Sequence, residues 1–181
     1  MATTSRTPKT IITLALVTIL AACNTQPAPE PTTTPTPTLT VPTTTPTSQN
    51  QVKAEQAVID LNAMVDQLIN DPKEPIQKLD TVATGEALEF FQVLLTDYRK
   101  EKLTGSGATL VEVESVKSSG SDTQGMTMWT VITCLDHSKT KLFDSAGNDV
   151  LRPPYRIQHS SLVVKRDGQM IVEQDEVLGT C

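Results

Sequence analysis

The side chains best suited to acid–base chemistry are two histidines, His137 and His159, and the acids near them. Asp136 directly precedes His137. Neighbours on a strand point to opposite faces, so these two serve one site only where the strand bends. Alternation sets Met126, Met128, Thr130, Ile132, Cys134 and Asp136 on one face, and Trp129, Val131, Thr133, Leu135 and His137 on the other. On a later strand Tyr155, Ile157, His159, Ser161 and Val163 share a face. Asp136 with His159 or Tyr155 is therefore the catalytic constellation the sequence offers, with an Asp or His as general base in a closed pocket. The plainer alternative ends a strand at Asp136 and leaves His159 facing solvent between Gln158 and Ser160.

Other chemistry has little support. No EF-hand spacing, glycine-rich phosphate loop, metalloprotease motif or nucleophile elbow occurs, and no cofactor or metal site is expected. Asp66, Asp71, Glu74 and Asp80 form an acidic patch interrupted by Lys73 and Lys78. Glu173, Asp175 and Glu176 read as a solvated strand edge, where charge discourages edge-to-edge aggregation. Fifteen basic against 21 acidic residues give a net charge of -6, which disfavours binding to a phosphate backbone. Aromatics are 3% of the 181 residues, too few for a stacking platform for single strands or sugars. No nucleic-acid partner is expected.

The elements that must position these groups lie in residues 51–181, about the commonest domain size. Ala54, Ala57, Val58, Leu61, Met64, Val65 and Leu68 fall on one stripe of a helix over about Val52–Ile69, capped by Ser48 or Asn50 and stopped by Asn70-Asp71-Pro72. A short helix follows, with Asp71 as cap, Pro72 at its first position, and Ile76, Leu79 and Val82 buried. A third runs from Thr84 to about Lys102 on Ala87, Leu88, Phe91, Leu94, Leu95 and Tyr98, and ends at Gly105-Ser106-Gly107. Phe90, Phe91 and Tyr98 form either a ligand-facing wall or packing against a sheet.

The period then changes from helical to alternating. Strands are expected over Leu110–Lys117, Met126–Asp136, Tyr155–Lys165 and Gln169–Leu178, with Ser118–Gln124 a polar turn. Lys141–Phe143 is a short strand or a continuation of the one before it. Asp167-Gly168 signals a hairpin. Helices followed by antiparallel strands predict an α+β fold, three N-terminal helices packed on a curved antiparallel sheet.

The N-terminal 50 residues are a different polymer. Arg6 and Lys9 precede an uncharged aliphatic run, Ile11–Ala22. As a helix this run spans roughly 18 Å at about 1.5 Å per residue, short of the ~30 Å hydrocarbon core. A basic flank, a short apolar run and small residues at its end read as a secretory signal over 1–22. No twin-Arg pair is present, which favours the general secretory route. From Asn24 to Asn50, 18 of 27 residues are Thr or Pro, with Glu30 the sole charge. Such a stretch cannot bury enough apolar surface to offset chain entropy and is expected to be a disordered linker. Extended as polyproline II it reaches roughly 80 Å at about 3.1 Å per residue. Its threonine density allows O-glycosylation.

Leu20-Ala21-Ala22-Cys23 resembles the bacterial lipobox. The resemblance implies cleavage before Cys23 and diacylglycerol on its thiol, two acyl chains giving stable attachment where one gives marginal binding. The cleaved chain carries 13 basic and 21 acidic residues, so anionic headgroups repel it and the domain is held off the membrane. Cys134 and Cys181 remain, an even pair in an exported chain, and a disulfide is the expected pairing. The alternatives are free thiols or a metal site, for which His137 and two distant cysteines supply too few ligands.

The element order, Thr84-Gly85-Glu86-Ala87, and Cys134-Leu135-Asp136 with a terminal Cys181 are similar to small actinobacterial lipoproteins whose domains resemble the nuclear transport factor 2-like cone fold. That superfamily holds isomerases, dehydratases and non-catalytic modules, so fold leaves function open. The leading expectation is a non-enzymatic lipoprotein on the extracytoplasmic face of the cell membrane, binding a protein or small-molecule ligand. The alternatives are a cone-fold enzyme using Asp136 and His159, and a phage- or prophage-encoded surface exclusion lipoprotein. The sequence assigns no oligomeric state.

Overall fold

The computed structural model describes residues 48–121, 123, 125–151 and 153–181. The signal segment 1–22, Cys23 and linker residues 24–47 lie outside the described residues.

Helix α1 (Gln49–Asn70) starts with a capping box: the Gln51 amide donates to Ser48 Oγ and the Ser48 amide to Gln51 Oε1. Ser48 is thus the cap of the two proposed. Ala54, Ala57, Val58, Leu61, Val65 and Leu68 are buried, the stripe that the 3.6-residue spacing demands. The expected second helix is a six-residue 3-10 segment, Ile76–Thr81, entered at Pro75 and burying Leu79. Pro75 lacks an amide hydrogen, which is harmless at a helix entrance and costly inside one. Helix α2 (Gly85–Lys100) buries Ala87, Phe91 and Leu95 and has Thr84 at its N-cap.

Strands β1 (Thr104–Ser106), β2 (Leu110–Ser121), β3 (Thr127–Asp136), β4 (Lys141–Phe143), β5 (Arg156–Arg166) and β6 (Gln169–Thr180) follow, all paired antiparallel. The order β2-β3-β5-β6 forms the main sheet, and β1 pairs with β4 in a two-stranded ribbon. Helices followed by antiparallel sheet is the α+β order expected. Two local expectations change. Gly105-Ser106 are part of β1 and not a helix end. Residues 118–121 extend β2 where a polar turn was expected. Of the two alternatives for Lys141–Phe143 the short separate strand is present, and it pairs with β1 outside the main sheet.

The core lies between the helices and one sheet face, where Leu61, Leu68, Leu79 and Leu95 meet Trp129, Val131, Val163 and Val172. The outer face of the sheet carries a ladder of charged and polar side chains at the Asp136 end of β3. Arg156 pairs with Glu112 at 2.7 Å and Asp136 at 3.2 Å, and Gln158 donates to Glu114 at 2.7 Å.

The β5–β6 hairpin turns at Asp167-Gly168, both at positive φ, with Arg166 opposite Gln169. Its register then shifts between Val163 opposite Val172 and Leu162 opposite Gln174, leaving Glu173 as the extra residue of a bulge. The shift sets Asp175 opposite Ser161.

Cys134 and Cys181 form a disulfide, with Cα atoms 6.0 Å apart. β3 and β6 flank β5, and two strand spacings would separate them by about 9.6 Å. Cys181 therefore leaves the end of β6 and crosses the outer face of β5 to reach Cys134. The pairing expected from cysteine arithmetic is present.

Candidate functional site

A cavity of about 320 Å³ opens between the two helices and the inner face of the sheet. The stripes that build the core also build its walls: Val65 and Ile69 from α1, Phe91 and Leu94 from α2, and Leu135 and Ile157 from the sheet. The ribbon of β1 and β4 and the loop through Gly107 and Thr109 close one end. Gly107 has φ +90°, and a Cβ there would stand 2.3 Å from the Lys139 carbonyl oxygen. The loop that carries Thr109 therefore requires glycine at this position. Phe90, Tyr155 and Val177 line the cavity and remain exposed, which places them at its rim. Of the aromatics for which two roles were proposed, Phe91 packs in the core and also lines the cavity wall.

Both histidines line this cavity, each tied to a carboxylate. His159 Nδ1 lies 2.8 Å from Asp175 Oδ2, and the Ser161 hydroxyl donates to Asp175 Oδ1 at 2.6 Å. Ser161 is fully buried, and the Asp175 side chain is 7% exposed. An ionised carboxylate accepts only, so the hydrogen in this contact sits on His159 Nδ1. Nε2 is left without a protein partner among the described residues.

The second arrangement reaches the same end by a longer path. Asp66 on α1 accepts the Thr109 amide at 2.6 Å and the Thr109 hydroxyl at 2.9 Å. That hydroxyl has one hydrogen, given to Asp66, so its 3.1 Å contact with His137 Nδ1 is accepted from the ring. His137 Nε2 is likewise unpartnered among the described residues. Burial pushes the His137 imidazole below its usual value, and His159 pushes the same way, against the opposing pull of Asp66 and Asp136. His137 is therefore neutral at pH 7. Burial, with help from Glu101, raises the Tyr98 phenol, which lines the cavity in its neutral form.

The proposed pairing of Asp136 with His159 does not form. Asp136 stands opposite Arg156 and His159 opposite Thr133, so strand alternation places them on opposite faces. Asp136 accepts from the Ser138 amide and from Arg156, and the Ser138 hydrogen bonds are the main reason its carboxyl lies below the usual range. The solvent-facing alternative for His159 also fails, because its side chain is 12% exposed. Tyr155 does share the cavity with His159. Asp175, expected on a solvated edge, is the acid that His159 meets. The face assignments of β3 and β5 made Asp136 a poor partner, and the strand pattern held that signal. Nothing in the sequence announced the bulge that brings Asp175 inward. Asp66 belongs to the acidic patch, but its link to Thr109 spans 43 residues of chain and leaves no local trace.

Among the described residues no group of three or more His, Cys, Asp or Glu side chains is placed to hold a metal ion. Among them, too, no helix is long and apolar enough to cross a membrane.

No protein-family model matches the chain, and no curated protein matches it. Among solved structures, the intermembrane-space region of the chloroplast protein ARC6 is similar, with a TM-score of 0.57 at 16% identity. The match covers 74% of this chain and all of that one. At this identity the likeness concerns the fold alone.

Proposed function

We propose that the chain is a lipid-anchored extracytoplasmic lipoprotein whose domain is a binding module. Diacylglycerol on Cys23 holds it to the outer side of the cell membrane, the Thr/Pro linker spaces it outward, and the cavity takes a small ligand. The cavity carries the binding half of this reading: it has largely apolar walls, an aromatic rim and two imidazoles, each with one nitrogen unpartnered among the described residues. Small-molecule sites have this composition, apolar lining with a few placed polar groups. The packing of α1, α2 and the 3-10 segment on one face of an antiparallel sheet supports the relation to the nuclear transport factor 2-like cone fold. The lipobox-like Leu20-Ala21-Ala22-Cys23 supports the anchor.

The anchor is tested by palmitate labelling and fractionation of cells making the parent chain and Cys23→Ala. The parent labels and sediments with membranes, and the variant loses the label. An unlabelled, full-length parent in the cytosol overturns the anchor.

A second reading, a cone-fold enzyme, rests on the contact between His159 and Asp175. A carboxylate fixing Nδ1 leaves Nε2 as a positioned general base. Its acid is Asp175, in place of the Asp136 that the sequence suggested.

A further inference from the structure

We infer that the cavity selects an apolar molecule bearing a hydroxyl group, recognised as a hydrogen-bond donor by the His137 ring nitrogen that has no partner among the described residues. This rests on the binding reading above and names the ligand's chemical class.

The two histidines are set alike by unrelated means. Asp175 with Ser161 fixes one ring, and Asp66 through Thr109 fixes the other. In both rings Nδ1 donates, and in the neutral His137 ring Nε2 therefore offers a lone pair and no hydrogen. A head group that only accepts gains nothing from His137. An anionic head also faces the Asp66 carboxylate, and among the described lining residues Lys141 is the one lysine or arginine. A hydroxyl donates to a ring nitrogen, and its oxygen can still accept from the Tyr98 or Tyr155 phenol. The aliphatic walls then take the rest of the molecule. The cavity volume is near the lower end for small-molecule sites, which suits a single ring or a short chain.

Three probes of one shape separate these features: 4-butylphenol, its methyl ether and 4-butylbenzoate. Affinities are measured by calorimetry on the full chain at pH 8, with histidine ring signals followed by NMR. The phenol is expected to bind about tenfold more tightly than either analogue, one net hydrogen bond's worth, and to shift the Nε2 signal of His137. His137→Leu is expected to remove much of this preference. His159→Phe leaves Asp175 short of a donor and is open to misfolding, so the ring signals of the parent provide the independent readout. Equal binding of all three probes, tighter benzoate binding, or phenol binding that leaves the His137 signal unmoved overturns hydroxyl selection while the cavity reading stands. If none of the probes binds the folded chain at millimolar concentration, the cavity reading fails and this inference fails with it.

Discussion

The two faces of the main sheet use the same residue types to different ends. On the outer face Asp136 and Glu112 meet Arg156 in a partly exposed ladder. On the inner face Asp175 meets His159 and Ser161 with its side chain 7% exposed. Solvent screens the first set and competes for its partners, so its contacts contribute little. The second set has lost its water, and each donor there is needed. Pairing alone is therefore a poor guide to consequence, and the solvent around a pair decides it.

The strongest test of this contrast concerns the one feature of the outer face that does not depend on solvent. Replacing both cysteines of the disulfide by serine is expected to cost about 4 kcal/mol in the chain-entropy view of a loop this long. The measurements are urea denaturation and hydrogen exchange of β6, with the loss of protection concentrated in Val177–Thr180. Intact mass with and without reductant checks the bond itself.

Next comes the acid pair. Asp175→Ala strands the buried Ser161 hydroxyl and removes the partner of His159, at an expected cost of about 2–3 kcal/mol. Asp136→Ala should leave the urea midpoint near that of the parent. Equal effects would break the contrast between the faces.

Gly107→Ala tests the closed end of the cavity. A methyl group would collide with Lys139 in a backbone conformation that alanine resists, at an expected cost of about 1–3 kcal/mol. The His137 ring signals should move as the Thr109 loop shifts, while those of His159 stay.

The smallest effect concerns pH. His137 has a folded-state value below its unfolded one, so between the two the unfolded chain binds the proton first. Its contribution is complete above about pH 6.5, the unfolded value, and is lost as the pH falls toward the folded value. Urea midpoints at pH 7.5 and 5.5 should differ less in His137→Gln than in the parent.

Much of this was legible in the sequence. The stripe of α1 gave its buried residues, Asp167-Gly168 gave the hairpin, and alternation placed Leu135 and His137 on one face, Ile157 and His159 on another. Contacts across the chain were not legible. Thr109 meets Asp66 because α1 lies beside the start of β2, a matter of packing. The second helix is a 3-10 segment entered at Pro75 and not at Asp71-Pro72, although Leu79 is buried as its spacing suggested. Asp175 was read with Glu173 and Glu176 as a charged, solvated edge, and the register shift that turns it inward leaves no mark in that charge run.

The extra residue at that register shift gives chain length a meaning that composition does not show. A strand has a parity, and Glu173 reverses it halfway along β6, after the turn has set it. Shortening the segment by one residue could keep every side chain that the pocket uses and still deliver a different set to it. In this domain, insertions and deletions within β6 are thus a route to a different cavity lining, separate from exchanging one amino acid for another.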